Sequence, residues 1–284
     1  LRGERMSPAN SATGASPGGS AGAMGHQRGS RTPDTAPWRE VVEMVAEGAP
    51  VAGVAQSTLQ AAERGLELAK GDEGLAHAVY LLAHVTIAAR DEASFASRLK
   101  ELGLDIPAEA NVYDLAGALS DALDRHLRNT RSRTDIGEMA QLAAVESLSA
   151  LTGPASENLW QTDSAPVQGA VRDLSTREGF ASLSHDFFAR LMQRYLTYHL
   201  SRELSQHVGP NQRFRDPTEH TAFLERLAVH TRQAALIVRD YAGGWFSKSK
   251  YETGISKQSA RNFAAYALVK LRAELEVRGA RDVG

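Results

Sequence analysis

From residue 37 onward apolar side chains recur every three or four positions, the period of a helix that buries one face. Trp38, Val41, Val42 and Val45 predict a short helix with Pro37 in its first turn. Leu59, Ala62, Leu66 and Ala69 predict a second, stopped at Lys70, Gly71 and Asp72. Leu75, Ala78, Val79, Leu82, Val85 and Ala89 form the next stripe. Tyr80, Leu81, Ile87 and Ala88 make its other side apolar too, which predicts a central helix packed on several sides. A short helix around Phe95 and Leu99 ends at Gly103, and another carries Leu115, Leu119, Ala122, Leu123 and His126. Asp135 and Glu138 have the spacing of a capping box that opens a helix to about Leu151.

Residues 154–176 break this rhythm with Pro154, Pro166 and Gly169, and so long an interruption predicts a domain boundary. Beyond it a helix over 185–208 gathers Phe187, Phe188, Leu191, Met192, Tyr195, Tyr198 and His199 on one broad face, and Gly209 and Pro210 end it. Asp216, Pro217 and Glu219 supply a cap acceptor, a proline at the first helical position and a carboxylate at the third. The stripe Phe223, Leu227, Thr231, Ala234 and Val238 then runs to Gly243 and Gly244, read as a stop. A last helix from Ser256 carries Ala260, Phe263, Ala264, Ala267, Leu268, Leu271 and Leu275. No stretch alternates as a strand would.

The expected fold class is therefore all-α: an acidic helical domain over 37–153 and a second bundle over 177–284, joined by a Pro/Gly-containing linker over 154–176. Residues 1–36 are rich in Ser, Gly, Ala and Pro and hold little to bury, so a disordered arm is expected there, with Met6 and Met24 as candidate translation starts.

Composition narrows the chemistry. Among 284 residues there is no cysteine, which excludes disulfides, thiolate nucleophiles and thiolate metal sites. The longest strongly apolar run, 76–89, is about half a membrane-spanning length. No apolar leader precedes the helices, so a cytoplasmic protein is expected. The net charge of −2 offers no bulk attraction to nucleic acid. Its distribution is uneven, because residues 37–153 hold 18 acidic and 10 basic side chains while 154–284 hold 14 and 18. Ordinary solvated helix faces give an asymmetry of this size, and the sharper alternative is complementary docking, between the halves or onto different partners. The alanine, arginine and leucine bias fits the expectation of a GC-rich bacterial genome.

The most distinctive candidate chemistry lies between the double glycine and the last helix. Trp245, Phe246, Lys248, Lys250 and Tyr251 interleave aromatic and basic groups in what reads as an exposed loop, and with Lys257, Gln258 and Arg261 at the start of the last helix they make a composition fit to contact a protein or a nucleic acid. From Gly254, Ile255 and Ser256 to Leu275 the chain resembles the turn and recognition helix of helix-turn-helix proteins, the last helix of sigma-factor-like domains in particular. The resemblance implies that Gly254 makes the turn, Ile255 pins it to the core and Ser256 caps the helix. It also implies that Lys257, Gln258 and Arg261 face a major groove.

The doublet His185 and Asp186 resembles that of helical metal-dependent phosphohydrolases of the HD type. The resemblance implies a divalent ion held with Asp240 and an upstream His84 or His126, and activating water. Asp186 would equally favour the positive end of its own helix. His199, His207, His220 and His230 could meet in a bundle core, but no Glu-x-x-His pair accompanies them. No phosphate-binding glycine loop, Gly-x-Ser-x-Gly elbow or His-Glu-x-x-His helix occurs, so no cofactor is called for. The leading expectation is a non-enzymatic helical adaptor or accessory protein acting through protein–protein contacts, with a homodimer through the C-terminal bundle as one arrangement. A nucleic-acid-binding regulator and a metal-dependent phosphohydrolase are the alternatives.

Overall fold

The computed structural model describes residues 35–107, 109–130, 133–153, 167–252 and 254–283. The expected disordered arm lies outside the described residues except at its last two positions, and so do residues 154–166 of the expected linker. The described residues form twelve helices: α1 (Ala36–Ala46), α2 (Val51–Ala61), α3 (Glu63–Ala69), α4 (Glu73–Ala88), α5 (Phe95–Glu101), α6 (Val112–Asn129), α7 (Asp135–Thr152), α8 (Val167–Asp173), α9 (Arg177–Gln206), α10 (Pro217–Ala234), α11 (Leu236–Glu252) and α12 (Lys257–Val283). Their only β pairing is an isolated bridge between Val208 and Phe214. The all-α expectation holds. No helix among the described residues is long and apolar enough to cross a membrane.

Side chains acting on the first backbone N–H groups set several of the helix starts. Asp72 accepts from Leu75 N at 2.7 Å, and Asn111 accepts from Tyr113 N and Asp114 N while the Asp114 carboxylate accepts from Asn111 N. The cap of α7 is Thr134, one residue before the predicted Asp135, accepting from Gly137 N at 2.9 Å. Thr176 caps α9 in the same way through Gly179 N, so that helix starts eight residues earlier than its aromatic stripe predicts. Asp216 accepts from Thr218 N and Glu219 N with Pro217 in the first turn, as the sequence signal requires. The helix expected through Leu59 to Ala69 is broken at Ala62, where the Tyr195 hydroxyl donates to the Ala62 carbonyl at 2.8 Å.

Two helices form the centre. Most of the circumference of α4 is buried, including Leu75, Val79, Leu81, Leu82 and Val85, in keeping with its two-sided apolar pattern. The thirty-residue α9 buries Phe180, Phe187, Phe188, Leu191, Met192, Tyr195, Leu196 and Leu204. Around them α7 packs on both α4 and α9, α12 lies on α4 and α2, and α10 and α11 cover the rest of α9.

The expected division into two bundles is not what these residues show. Helices from 37–153 and from 177–284 share one hydrophobic core within the compact unit Arg31–Gly284. The break in periodicity lacks an amphipathic stripe and so predicts a boundary, but burial continues beyond it. Part of the expected linker is α8, whose Val167 and Val171 are buried and whose Gln168 amide donates to the Ala89 carbonyl after α4. The charge asymmetry is partly internal for the same reason, since Arg261 and Arg272 of α12 pair with Glu73 and Glu63.

Candidate contact surface

The aromatic and basic segment from Trp245 is not a loop. The α11 helix runs through both glycines to Glu252, because Gly243 is where α11 meets the start of α9: a Cβ there would stand 2.5 Å from the Arg177 carbonyl oxygen. Continuing the helix turns Trp245 and Phe246 inward. The Phe246 ring stacks on Phe180 at 4.2 Å and is 1% exposed, and Trp245 stacks on Phe263 of α12 at 4.2 Å. Phe246 therefore leaves the expected contact surface for the core, and Trp245 packs half-buried against it. Lys248 and Tyr251 remain exposed, and the half-buried Lys250 places its ammonium 5.2 Å from the Tyr251 ring centre.

The turn between α11 and α12 has the features that the helix-turn-helix resemblance implies. Gly254 adopts φ +75°, Ile255 is buried, and the Ser256 hydroxyl accepts from Ser259 N at 3.1 Å. The Ile255 carbonyl lies 2.7 Å from His84 Nε2, which ties the turn to α4. The groove-facing triplet is less free than expected. Arg261 pairs with Glu73 of α4, the Gln258 amide donates to Asn262 Oδ1 at 2.9 Å, and only Lys257 points out without such a bond. Arg261 is drawn inward because α12 lies along α4 instead of standing clear of the body.

Beside this turn the His77 and His126 rings stack with centroids 3.7 Å apart and planes 19° apart. Burial, then the charges of His126 and Lys257, pushes His77 down to about 3, and burial and Lys257 lower His126 as well. His77 Nδ1 and His126 Nε2 are buried without hydrogen-bond partners, as two neutral rings pressed together would be.

The metal alternative is not assembled. His185 Nε2 lies 2.8 Å from the Arg232 carbonyl oxygen. Asp186 is 2% exposed and accepts from Arg190 Nε at 2.5 Å and Arg232 Nη2 at 2.8 Å, while Asp240 is exposed on α11. The carboxylate that the phosphohydrolase resemblance would give to a metal is thus held by two guanidinium groups. His199 packs on Trp38 and Tyr195, and burial pushes it down to about 4. Among the described residues no group of three or more His, Cys, Asp or Glu side chains is placed to hold a metal ion.

What sequence reasoning missed is the outer side of α12. Opposite the buried Ala264, Leu268, Leu271 and Leu275 run the exposed Tyr266, Val269, Ala273, Val277 and Ala280, again spaced by three and four residues. Tyr266, Val269 and Val277 are 48%, 44% and 44% exposed. Tyr266 is fixed by an edge contact with Tyr241 of α11 at 4.9 Å and by Lys270, whose ammonium stands 5.4 Å from its ring centre. A second apolar period on the same helix was the available signal, masked by the stronger inward one. The broad aromatic face of α9 is core, buried beneath α7, α10 and α11. No family model, curated protein or solved structure matches this chain. Any functional reading therefore rests on the chain's own geometry.

Proposed function

We propose that this chain is a helical adaptor or accessory protein that works through protein contacts made on the outward face of α12, together with the exposed end of α11 at Lys248 and Tyr251. The observation that carries the reading is the exposed stripe Tyr266, Val269, Ala273, Val277 and Ala280 on a helix whose opposite side is already buried. An amphipathic helix needs one apolar face to dock on its own core, and a second such face on a long helix suits docking against another helix. With Lys270 beside Tyr266, the stripe has a basic neighbour that would favour an acidic partner.

The test replaces Val269 and Val277 by glutamate and follows two readouts. In sedimentation over a concentration series, a wild-type dimer that the double variant converts to a monomer would identify the partner as a second copy. If the wild type sediments as a monomer, a photo-crosslinking residue at position 273 in cells should give one adduct of defined mass, lost on Val269→Glu. A monomer with no such adduct ends the proposal.

A further inference from the structure

A cleft of about 580 Å³ lies between the turn that follows α1 and the segment joining α9 to α10. Its walls include Glu47, Gly48, Asn211, Gln212, Arg213, Phe214, and the residues Glu219, Ala222 and Arg226 on one side of α10. The segment over 207–214 is tightly wound. Gly209 N donates to the Phe214 carbonyl at 2.8 Å, Phe214 N to the His207 carbonyl at 2.9 Å and Gln212 N to the Gly209 carbonyl at 3.0 Å. Asn211 sits in the left-handed region at φ 64°, a conformation that an asparagine tolerates better than most side chains.

This winding delivers Arg213 to the cleft and holds it there. Its guanidinium lies 5.1 Å from the centres of both the Phe214 and Phe223 rings, and Nη2 donates to the Ala49 carbonyl at 2.9 Å. Gly48, at φ +84°, makes room for it: a Cβ there would stand 3.2 Å from Arg213 Nη1.

No carboxylate forms an ion pair with Arg213 or Arg226 among the described residues. Glu219, the acidic group on the same wall, is already engaged by Arg215 through its backbone N at 2.8 Å and its guanidinium Nε at 2.8 Å. Arg213 and Arg226 both line the cleft, and burial, with the like charge of Arg226 after it, lowers the Arg213 pKa below the ordinary arginine value. Ala222, between Glu219 and Arg226 on the helix face, leaves the floor open. Glu47 shares the lining at the α1 end but pairs with neither arginine, so two guanidinium groups, one of them immobilised, face a concave site and leave a place for an anion.

We infer that this cleft binds a small organic molecule bearing an oxyanion, with Arg213 and Arg226 as the recognising groups. The volume is that of a site for a metabolite-sized ligand, well beyond a single bare ion. The inference is independent of the contact face on α12.

The test uses the full chain with inorganic phosphate and with citrate, at constant ionic strength set by sodium chloride, followed by thermal unfolding and titration calorimetry. Saturable stabilisation by either probe is expected, and affinity should fall about tenfold or more in Arg226→Gln, whose side chain is exposed and outside the core. Ala222→Leu, which fills the floor without changing charge, should give a comparable loss. Both variants should melt like the wild type without probe. A response to phosphate alone assigns a phosphoryl ligand, and a response to citrate alone a carboxylate. No saturable response to either probe, or a response unchanged in Arg226→Gln, overturns the inference.

Discussion

Arg232 of α10 reaches across to α9 and donates from Nη2 to the buried Asp186 carboxylate at 2.8 Å. The second carboxylate oxygen accepts from Arg190 Nε, and Arg190 in turn pairs with Glu146 of α7, so one carboxylate links three helices. Removing a buried carboxylate leaves its partners uncompensated, at about 3–5 kcal/mol when both are buried. Arg232 is largely exposed and can rehydrate, which reduces that figure. Asp186→Ala should therefore lower stability by about 2–3 kcal/mol in urea unfolding, and Arg232→Ala by about 1 kcal/mol, because Asp186 keeps Arg190. Equal losses would show that the network is not centred on Asp186.

The two adjacent glycines of α11 should respond in opposite directions to the same substitution. Gly243→Ala forces a methyl group against the Arg177 carbonyl oxygen and Cγ, and overpacking of this kind costs about 1–3 kcal/mol. At Gly244 an added Cβ meets no atom within 4 Å, so alanine should raise stability by about 0.5–1 kcal/mol through helix propensity. Thermal unfolding of the two variants beside the wild type decides it. A gain at both positions would mean that the α9–α11 contact is looser than described here.

The same pair of glycines marks where sequence reading reached its limit. Period alone located the cores of α4, α6, α10 and α12, since each carries a continuous apolar stripe, and Asp216 with Pro217 marked the start of α10 to the residue. Glycine in a helix has two opposite meanings, a stop or a close approach, and only the neighbouring helix distinguishes them. Reading Gly243 as a stop put Trp245 and Phe246 on the surface, and reading the break before α8 as a boundary split one core in two. In both cases the deciding contact lies far off in sequence: Phe246 with Phe180, Gln168 with Ala89. The exposed stripe on α12 went unread because one helix was assigned one face, and the Arg213 cleft because its parts come from three separate segments.

Two aromatic residues that the sequence places side by side on one surface should separate cleanly by experiment. Phe246→Ala removes a ring that is fully buried against Phe180 and should cost about 3–5 kcal/mol. Tyr251, 80% exposed, should tolerate alanine within about 0.5 kcal/mol. Urea midpoints with unchanged slopes are the measure. A severe loss for Tyr251→Ala would show that its ring is covered in solution, by a second copy of the chain for instance.

Acidification should weaken the fold before the carboxylates titrate. Burial holds His77 at about 3 and His199 at about 4, both below the value near 6.5 of an unfolded histidine. Below pH 6.5 the unfolded chain takes up protons that the native one refuses, so this part of the stability is complete above that pH and is lost as the pH falls toward 4 and then 3. Each histidine contributes a slope that approaches 1.4 kcal/mol per pH unit at its limit, roughly, and the two act together between pH 6 and 5. Urea unfolding at pH 7, 6 and 5 should show the decline. His199→Phe, whose ring suits the pocket formed with Trp38 and Tyr195, should make the slope shallower without abolishing it, because His77 and His126 remain. A profile flat from pH 7 to 5 would mean that both imidazoles reach water in the native state, and with it that the His77–His126 stack beside the α12 turn opens in solution.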